Sequence, residues 1–446
     1  MLRYFLLKLF KQLEFNKIEY CVIGNYDELP DYTANDVDIW IDDHVAAEKI
    51  LYQTAKELSL KLYLQNKTAN GSNNYFYCNR QGQAIEIIKI DLMIETSYKS
   101  LVPIVSGELI KTNRDVYKGF MVANEVIEGI MHLLYPLVTF GLVRDKYKEK
   151  IYKLNEVDKF QRYLESIVGH KHGVLLGSLI KDNNWHGIEM MSGSIKRYLI
   201  VKMLSKIDTL RIKIFFRFLE SIFSRTIRKN GIVISFTGID GAGKSSIKEY
   251  MIKNSNKYFT KNKCKEFYWR PFLLPRIARL LGTKGQKEVV DGSGKRVVRH
   301  SLFTSMVNIL KYLYYVLDFI SGQVKYFTQS HTGGLVVFDR YHFDNIIYSE
   351  RFGFKISKKI MVFFDRYIIP QPDIQFYFNA QTNILYERKH EIDIDEINNQ
   401  KLLYADAMNG RKDIIEICTD GSFDNSVNKV LLKCLELMSR RYSSNG

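Results

Sequence analysis

Disulfide chemistry has little to work with in this 446-residue sequence: Cys21, Cys78, Cys264, Cys418 and Cys434 lie far apart and form no CxxC pair. That spacing excludes a disulfide scaffold and a zinc knuckle, and it predicts a reduced, cytoplasmic setting. Proline is scarce at 7 residues, while hydrophobic residues make up 46% and charged residues 26%. This is the balance of an ordered chain, not a disordered one. Long apolar runs are missing too: the longest, at 133–143, falls short of the ~18 residues a membrane-spanning helix needs. The first twenty residues interleave apolar and charged positions, so they read as an amphipathic helix and not as a signal peptide. Acid is in deficit, with Lys+Arg at 65 against Asp+Glu at 49 and a net charge of +16. Such a surface attracts phosphorylated substrates or acidic lipid; no nucleic acid is expected, since charge alone speaks for it.

At ~150 residues per domain the length predicts about three domains. From 1 to 120, helix-like and strand-like patterns alternate: YCVIGN at 20–25, DVDIWI at 36–41, YFYCN at 75–79 and AIEIIKIDLMI at 84–94 read as strands. From 121 to 228 helical periodicity takes over, which predicts a helical connector domain. From 229 to 446 a second α/β region opens on GIVISFTG and closes on a polar end, RRYSSNG.

That opening strand runs into Gly238-Ile239-Asp240-Gly241-Ala242-Gly243-Lys244-Ser245-Ser246, followed by an amphipathic helix. Strand, glycine-rich loop, Lys-Ser and helix form a complete phosphate-binding loop in the context it requires. The glycines let several backbone N–H groups converge on phosphate oxygens, and the helix start adds its positive end. Lys244 is placed to neutralise the outer phosphates of ATP, and the Ser245 hydroxyl to ligate Mg2+. A later strand, GLVVFDRY at 334–341, ends in Asp339-Arg340, the form of a carboxylate that reaches the metal shell from a neighbouring strand. After the strand DIQFYFNA at 373–380, Arg388 and Lys389 followed by His390 and Glu391 suit a lid that closes over phosphates.

GIDGAGKSS, DRY, PDIQFYFNA and ERKHE together resemble the thymidylate kinase family of P-loop nucleoside monophosphate kinases, over about 231–440. The resemblance implies a five-stranded parallel sheet, ATP and Mg2+ as co-substrates, and phosphoryl transfer to dTMP or a related nucleoside monophosphate. It gives the donor site to the loop, places Asp240 near the acceptor, and gives Asp339 metal or water positioning. Arg340 would hold the acceptor phosphate, Arg270 in YWRPFLLP is similar to an acceptor-side arginine, and Arg388 to a lid arginine. Two positions depart from the family pattern. Thr237 stands where an acidic residue usually precedes the first loop glycine, and Asp344 stands at the serine position after DRY. Both fall on the acceptor side, so Asp344 joins the acceptor-binding candidates. Relatives of this kind beside surface-polysaccharide genes make a sugar or glycan acceptor the alternative.

In the first region Gly24-Asn25 ends a strand, Asp36 and Asp38 alternate on the next, and Asp91 lies within IIKIDLMI. With period 2, Asp36 and Asp38 share a face, and a third carboxylate on a neighbouring strand would complete a divalent-metal cage. A Gly turn, then DxD, then a later Asp resembles the nucleotidyltransferase superfamily, which implies two-metal chemistry. Lys89 shares the face of Asp91, and pairing with a carboxylate is expected there.

Three further signals receive plain expectations. The stretch at 210–229 gathers Ile212, Phe215, Phe216, Leu219 and Phe223 on one helical face, which predicts packing against neighbouring helices and leaves peripheral membrane contact open. His170 and His172 read as exposed loop residues, and the aromatic cluster at 311–320 as core. A homodimer is also left open. Together these features predict an ATP-dependent kinase with a second, nucleotidyltransferase-like site; the alternatives are a nucleotide-binding switch, or a chain whose main chemistry lies in the first domain.

Overall fold

The computed structural model describes residues 1–67, 72–81, 84–99, 101–205, 209–275, 302–348, 356–388, 393–411 and 413–442. Lys389, His390 and Glu391 lie outside them, as does the end after 442. The chain divides into two compact units, Met1–Arg228 together with Tyr442, and Lys229–Arg441.

In the first unit, helix Leu2–Phe15 turns Phe5, Leu6, Leu9, Phe10 and Leu13 inward at helical spacing. It covers a seven-stranded mixed sheet made of β1 (Tyr20–Val22), β2 (Val37–Ile41), β3 (Lys61–Lys67), β4 (Asn73–Gln81), β5 (Ala84–Met93), β8 (Arg114–Tyr117) and β9 (Phe120–Ala123), in the order β3-β4-β5-β2-β1-β9-β8. A small hairpin, β6 (Thr96–Tyr98) with β7 (Val102–Val105), stands apart. Helix His44–Glu57 starts where the Asp43 carboxylate accepts from the N–H groups of Val45 and Ala46 at 3.0 and 3.1 Å, a side-chain cap. The helices between Glu125 and Leu204 bury Ile127, Ile130, Leu134, Leu164, Leu176 and Ile195 in the same apolar cluster as Cys21, Ile23 and Trp40 of the sheet. The stretch expected as a connector therefore shares a core with the sheet and belongs to its unit. His170 begins a helix, His170–Lys181, rather than lying in a loop, and its ring pairs with Glu165 at 2.6 Å.

The second unit is a five-stranded parallel sheet flanked by helices. Its strands are β10 (Ile232–Gly238), β11 (Cys264–Tyr268), β12 (Leu335–Asp339), β13 (Ile374–Asn379) and β14 (Ile414–Cys418), ordered β11-β12-β10-β13-β14. Every residue of β10 is buried, Ser235 and Thr237 included, as befits a central parallel strand covered on both faces. The chain leaves β10 toward β11 on one side and later crosses from β12 to β13 on the other, so the order reverses at β10 and a crevice opens at its carboxyl end, where open α/β sheets bind ligands. In helix Leu302–Ser321 the cluster at 311–320 is core on one face only: Tyr312, Val316 and Phe319 are buried, while Leu313, Leu317 and Ile320 are exposed.

Candidate functional site

The loop from Gly238 to Gly243 fills that crevice. Gly238 has φ +135°, and a Cβ there would stand 2.3 Å from the Phe378 carbonyl oxygen, so only glycine fits where β10 passes β13. Gly243, at φ +79°, leads into helix Lys244–Lys253. The Lys244 ammonium reaches back across the loop and donates to the carbonyls of Gly238 at 2.8 Å and Ile239 at 2.6 Å. Burial, reinforced by the Arg340 charge, lowers its pKa to about 8.

Arg340 sits in the left-handed region, at φ +69°, a conformation costing about 1–2 kcal/mol in a non-glycine residue. Its N–H donates to Phe236 O at 2.8 Å, tying the end of β12 to β10. The side chain is buried, with one terminal nitrogen 3.2 Å from Asp344 Oδ1 and the other 3.0 Å from Asp240 Oδ1. Asp344 is fully buried and also accepts from the Thr237 hydroxyl at 2.8 Å, the Tyr404 hydroxyl at 3.3 Å and the Tyr341 N–H at 3.1 Å. Thr237 and Asp344 thus meet each other, a hydroxyl on β10 and a carboxylate in the first turn of the helix His342–Ile347 that follows β12. Asp344 lies within this network and is closed off from the crevice; Asp240 is its half-buried outer end.

Asp339 has a partner that the motifs did not announce. Lys248, one turn beyond Lys244, donates to Asp339 Oδ2 at 2.7 Å and pairs with Glu266 at 2.8 Å. Arg388 stands on the opposite wall, donating to the Thr419 hydroxyl at 3.3 Å and the Thr419 carbonyl at 2.9 Å. The Thr419 hydroxyl in turn donates to Ala242 O at 3.2 Å. Between them lies a cleft of about 460 Å³ bounded by Asp240, Gly241, Gly243, Lys244, Ser245, Ser246, Arg388, Thr419 and Phe423. The loop, Lys244, Ser245 and Arg388 therefore face one space.

Arg270 does not join them. It is 1% exposed and bonded at 2.6 Å to Asp318, whose carboxylate also accepts from the N–H groups of Phe272 and Leu274. Its guanidinium stacks over Phe272 and Tyr315. The ion pair commits Arg270 to holding the turn after β11, so it stands as a packed structural cation instead of an open acceptor contact.

In the first unit, Asp38 on β2 and Asp91 on β5 are direct register partners. Burial raises the Asp38 pKa well above the usual range, aided by the charges of Asp91 and Asp36, and burial brings Asp91 to about 7. Asp91 Oδ2 accepts from the Ser72 hydroxyl at 3.1 Å, while Asp91 Oδ1 is buried with no hydrogen-bond partner. The expected three-carboxylate cage is not closed: no group of three or more His, Cys, Asp or Glu is gathered as a metal site among the described residues. β2 begins at Val37, so Asp36 precedes the ladder, and it pairs with Lys89 at 3.7 Å. Two carboxylates converge, one with an oxygen that has no hydrogen-bond partner, and their raised pKa values mean that the pair keeps a proton unless a cation takes its place.

No protein-family model matches the sequence, and no curated protein does. Among solved structures, thymidylate kinase from Candida albicans is similar at 17% identity, over 46% of this chain and 91% of its own length, with a TM-score of 0.31. Thymidylate kinase from Ehrlichia chaffeensis is similar at 19% identity, over 46% of this chain and 98% of its own length, with a TM-score of 0.30. Similarity at that level bears on neither substrate nor mechanism, which rest on the side chains described above.

Proposed function

We propose that Lys229–Arg441 is an ATP-dependent phosphotransferase that moves the γ-phosphate of ATP to dTMP or a related nucleoside monophosphate. The observation that carries this reading is the crevice at the end of β10, where the glycine loop, Lys244, Ser245 and Arg388 line one cleft and Arg340 stands beside it behind Asp240. Ser245 is the hydroxyl that would hold the Mg2+ of Mg-ATP, which when bound would spread the charge of the outer phosphates, and Asp339, steadied by Lys248, lies at the adjoining strand end. The loop N–H groups orient the donor, and Lys244 balances charge on the transferring group. An acceptor phosphate would meet Arg340 from the Asp240 side, because the Asp344 side is sealed. Catalysis is then positioning plus electrostatics.

The test is transfer of label from γ-labelled Mg-ATP by the full chain, with dTMP, other nucleoside monophosphates and sugar phosphates offered in parallel. Label on a nucleoside monophosphate is the expected result; label on a sugar phosphate alone would redirect the reading to glycan chemistry. ADP release indifferent to every acceptor would replace it with a nucleotide-dependent switch.

A second reading, metal-dependent chemistry in Met1–Arg228, is favoured by one observation, the in-register Asp38 and Asp91 pair with its orphaned oxygen. In ATP-free buffer the full chain is expected to take up Mn2+, read as loss of the free-ion electron-resonance signal. Asp38→Asn should weaken that uptake at least about tenfold, since a direct carboxylate matters no less than an outer-shell partner. Uptake unchanged by Asp38→Asn would place the ion elsewhere.

A further inference from the structure

The helix Thr209–Ile227 is built the wrong way round for a helix that serves only the core. Ile212, Phe215, Phe216, Leu219, Ile222 and Phe223 fall within an arc of about 120° at 100° per residue, and all six are exposed. Phe216 and Phe223 are 64% and 68% exposed. Ile227, in the last turn, continues the same face and is also open. On the far side Ser221 is buried and Arg225 is half-buried, its guanidinium donating to the Ser221 carbonyl and hydroxyl at 3.0 Å each. The packing expected of this apolar face does not occur: Ser221, with Phe218 and Arg225 half-buried beside it, takes the inner side, and the face of Phe215, Phe216, Leu219 and Phe223 stays open.

Charge decides what such a face fits. The helix carries Arg211, Lys213, Arg217 and Arg225, with Arg228 directly after it, against Glu220 as its only acid. Glu220 is neutralised by an ion pair with Lys67 of β3. By position along the helix, Arg211 and Lys213 fall on either side of the apolar arc. The chain as a whole carries +16. No helix among the described residues is long and apolar enough to cross a membrane; a 19-residue helix with an open apolar face and cations in its sequence has the form of one that lies along a lipid surface.

We propose that Thr209–Ile227 docks the protein on an anionic lipid surface, its phenylalanine face entering the headgroup boundary and its flanking cations meeting acidic lipid. The inference is independent of the kinase reading, since it uses none of the residues around the phosphate loop.

Co-sedimentation of the full chain with phosphatidylcholine vesicles carrying about 30% phosphatidylserine tests it, beside pure phosphatidylcholine vesicles. Binding to the acidic vesicles is expected, and raising salt should weaken it. The double variant F216E/F223E, placed on solvent-exposed positions and checked for an unchanged circular dichroism spectrum and melting temperature, should bind at least about tenfold more weakly. Wild-type protein that stays in the supernatant, or a double variant that sediments equally, overturns the proposal. A wild-type dimer that F216E/F223E dissolves, without vesicle binding, also overturns it and assigns the face to a second copy of the chain.

Discussion

Lys244→Ala is expected to lower phosphoryl transfer by about 10²–10³-fold, the range seen when one preorganised donor to a developing charge is removed. The fold should survive. What the variant loses in the free protein is two hydrogen bonds to carbonyls of its own loop, Gly238 O and Ile239 O, an ion pair with the half-buried Asp240 at 3.5 Å, and a cation whose burial is itself unfavourable. The same lysine predicts a pH dependence. Burial, with the Arg340 charge beside it, brings its pKa to about 8, so the free protein sheds this proton at mildly alkaline pH. Bound phosphates require the ammonium form, and ATP binding should therefore take up a proton above that pH. With a pKa near 8, ATP affinity measured by calorimetry should fall about tenfold between pH 7 and pH 9, and proton uptake should show as a dependence of heat on buffer ionisation enthalpy. The sign for stability is opposite: between the lowered folded value and the ordinary unfolded value the unfolded chain binds more protons, so this group favours the folded state more as pH rises. An ATP affinity flat across that range would place Lys244 away from the phosphates.

The phosphate loop was legible because every part of it is local. A buried strand, three glycines, Lys-Ser and a helix sit within one window, and the register Gly238 to Phe378 enforces the first glycine from outside without needing to be known. Apolar strands were legible for the same reason, as in β10, β12, β13 and β5. Half-exposed strands were not, whatever their length: β3 reads KLYLQNK and β11 reads CKEFY, with lysine and other polar residues breaking the apolar signal. Pairings across the sheet were equally silent. Nothing local marks Lys248 on its helix; only the fold brings Asp339, 91 residues away at the end of β12, to it. Thr419 lies 31 residues from Arg388 and joins it only because β14 returns beside β13. The start of β2 shows what a pattern leaves out: DVD suggests two carboxylates held alike, whereas Asp36 precedes the strand and pairs with Lys89 while its charge still reaches Asp38 and Asp91.

The largest stability effect is expected at the buried pair Thr237 and Asp344, and it should be non-additive. Asp344→Ser alone leaves Arg340, 4% exposed, with only the half-buried Asp240 as counter-charge, and strips acceptors from Thr237, Tyr404 and the Tyr341 N–H. Leaving a buried cation this poorly compensated costs about 3–5 kcal/mol. Thr237→Glu alone sets a second carboxylate against Asp344 with no added cation, and like charges at that range are destabilising as well. In the double variant the carboxylate stands on β10 and the hydroxyl follows DRY, which restores one charge and one donor across the same gap. Tyr404 can serve either arrangement, because its hydroxyl already accepts from the Gly238 N–H at 3.3 Å while donating to Asp344. Urea unfolding of the two single variants and the double should yield a coupling of about 2–3 kcal/mol in favour of the double, at the upper end for contacting residues. Additive losses would mean that the site reads the identity of each side chain separately, with the loop clamped by Asp344 in a way that a carboxylate supplied from β10 cannot reproduce. Coupled recovery would mean that the cradle behind Gly238 needs one carboxylate facing Arg340 and is indifferent to whether β10 or the helix after β12 supplies it.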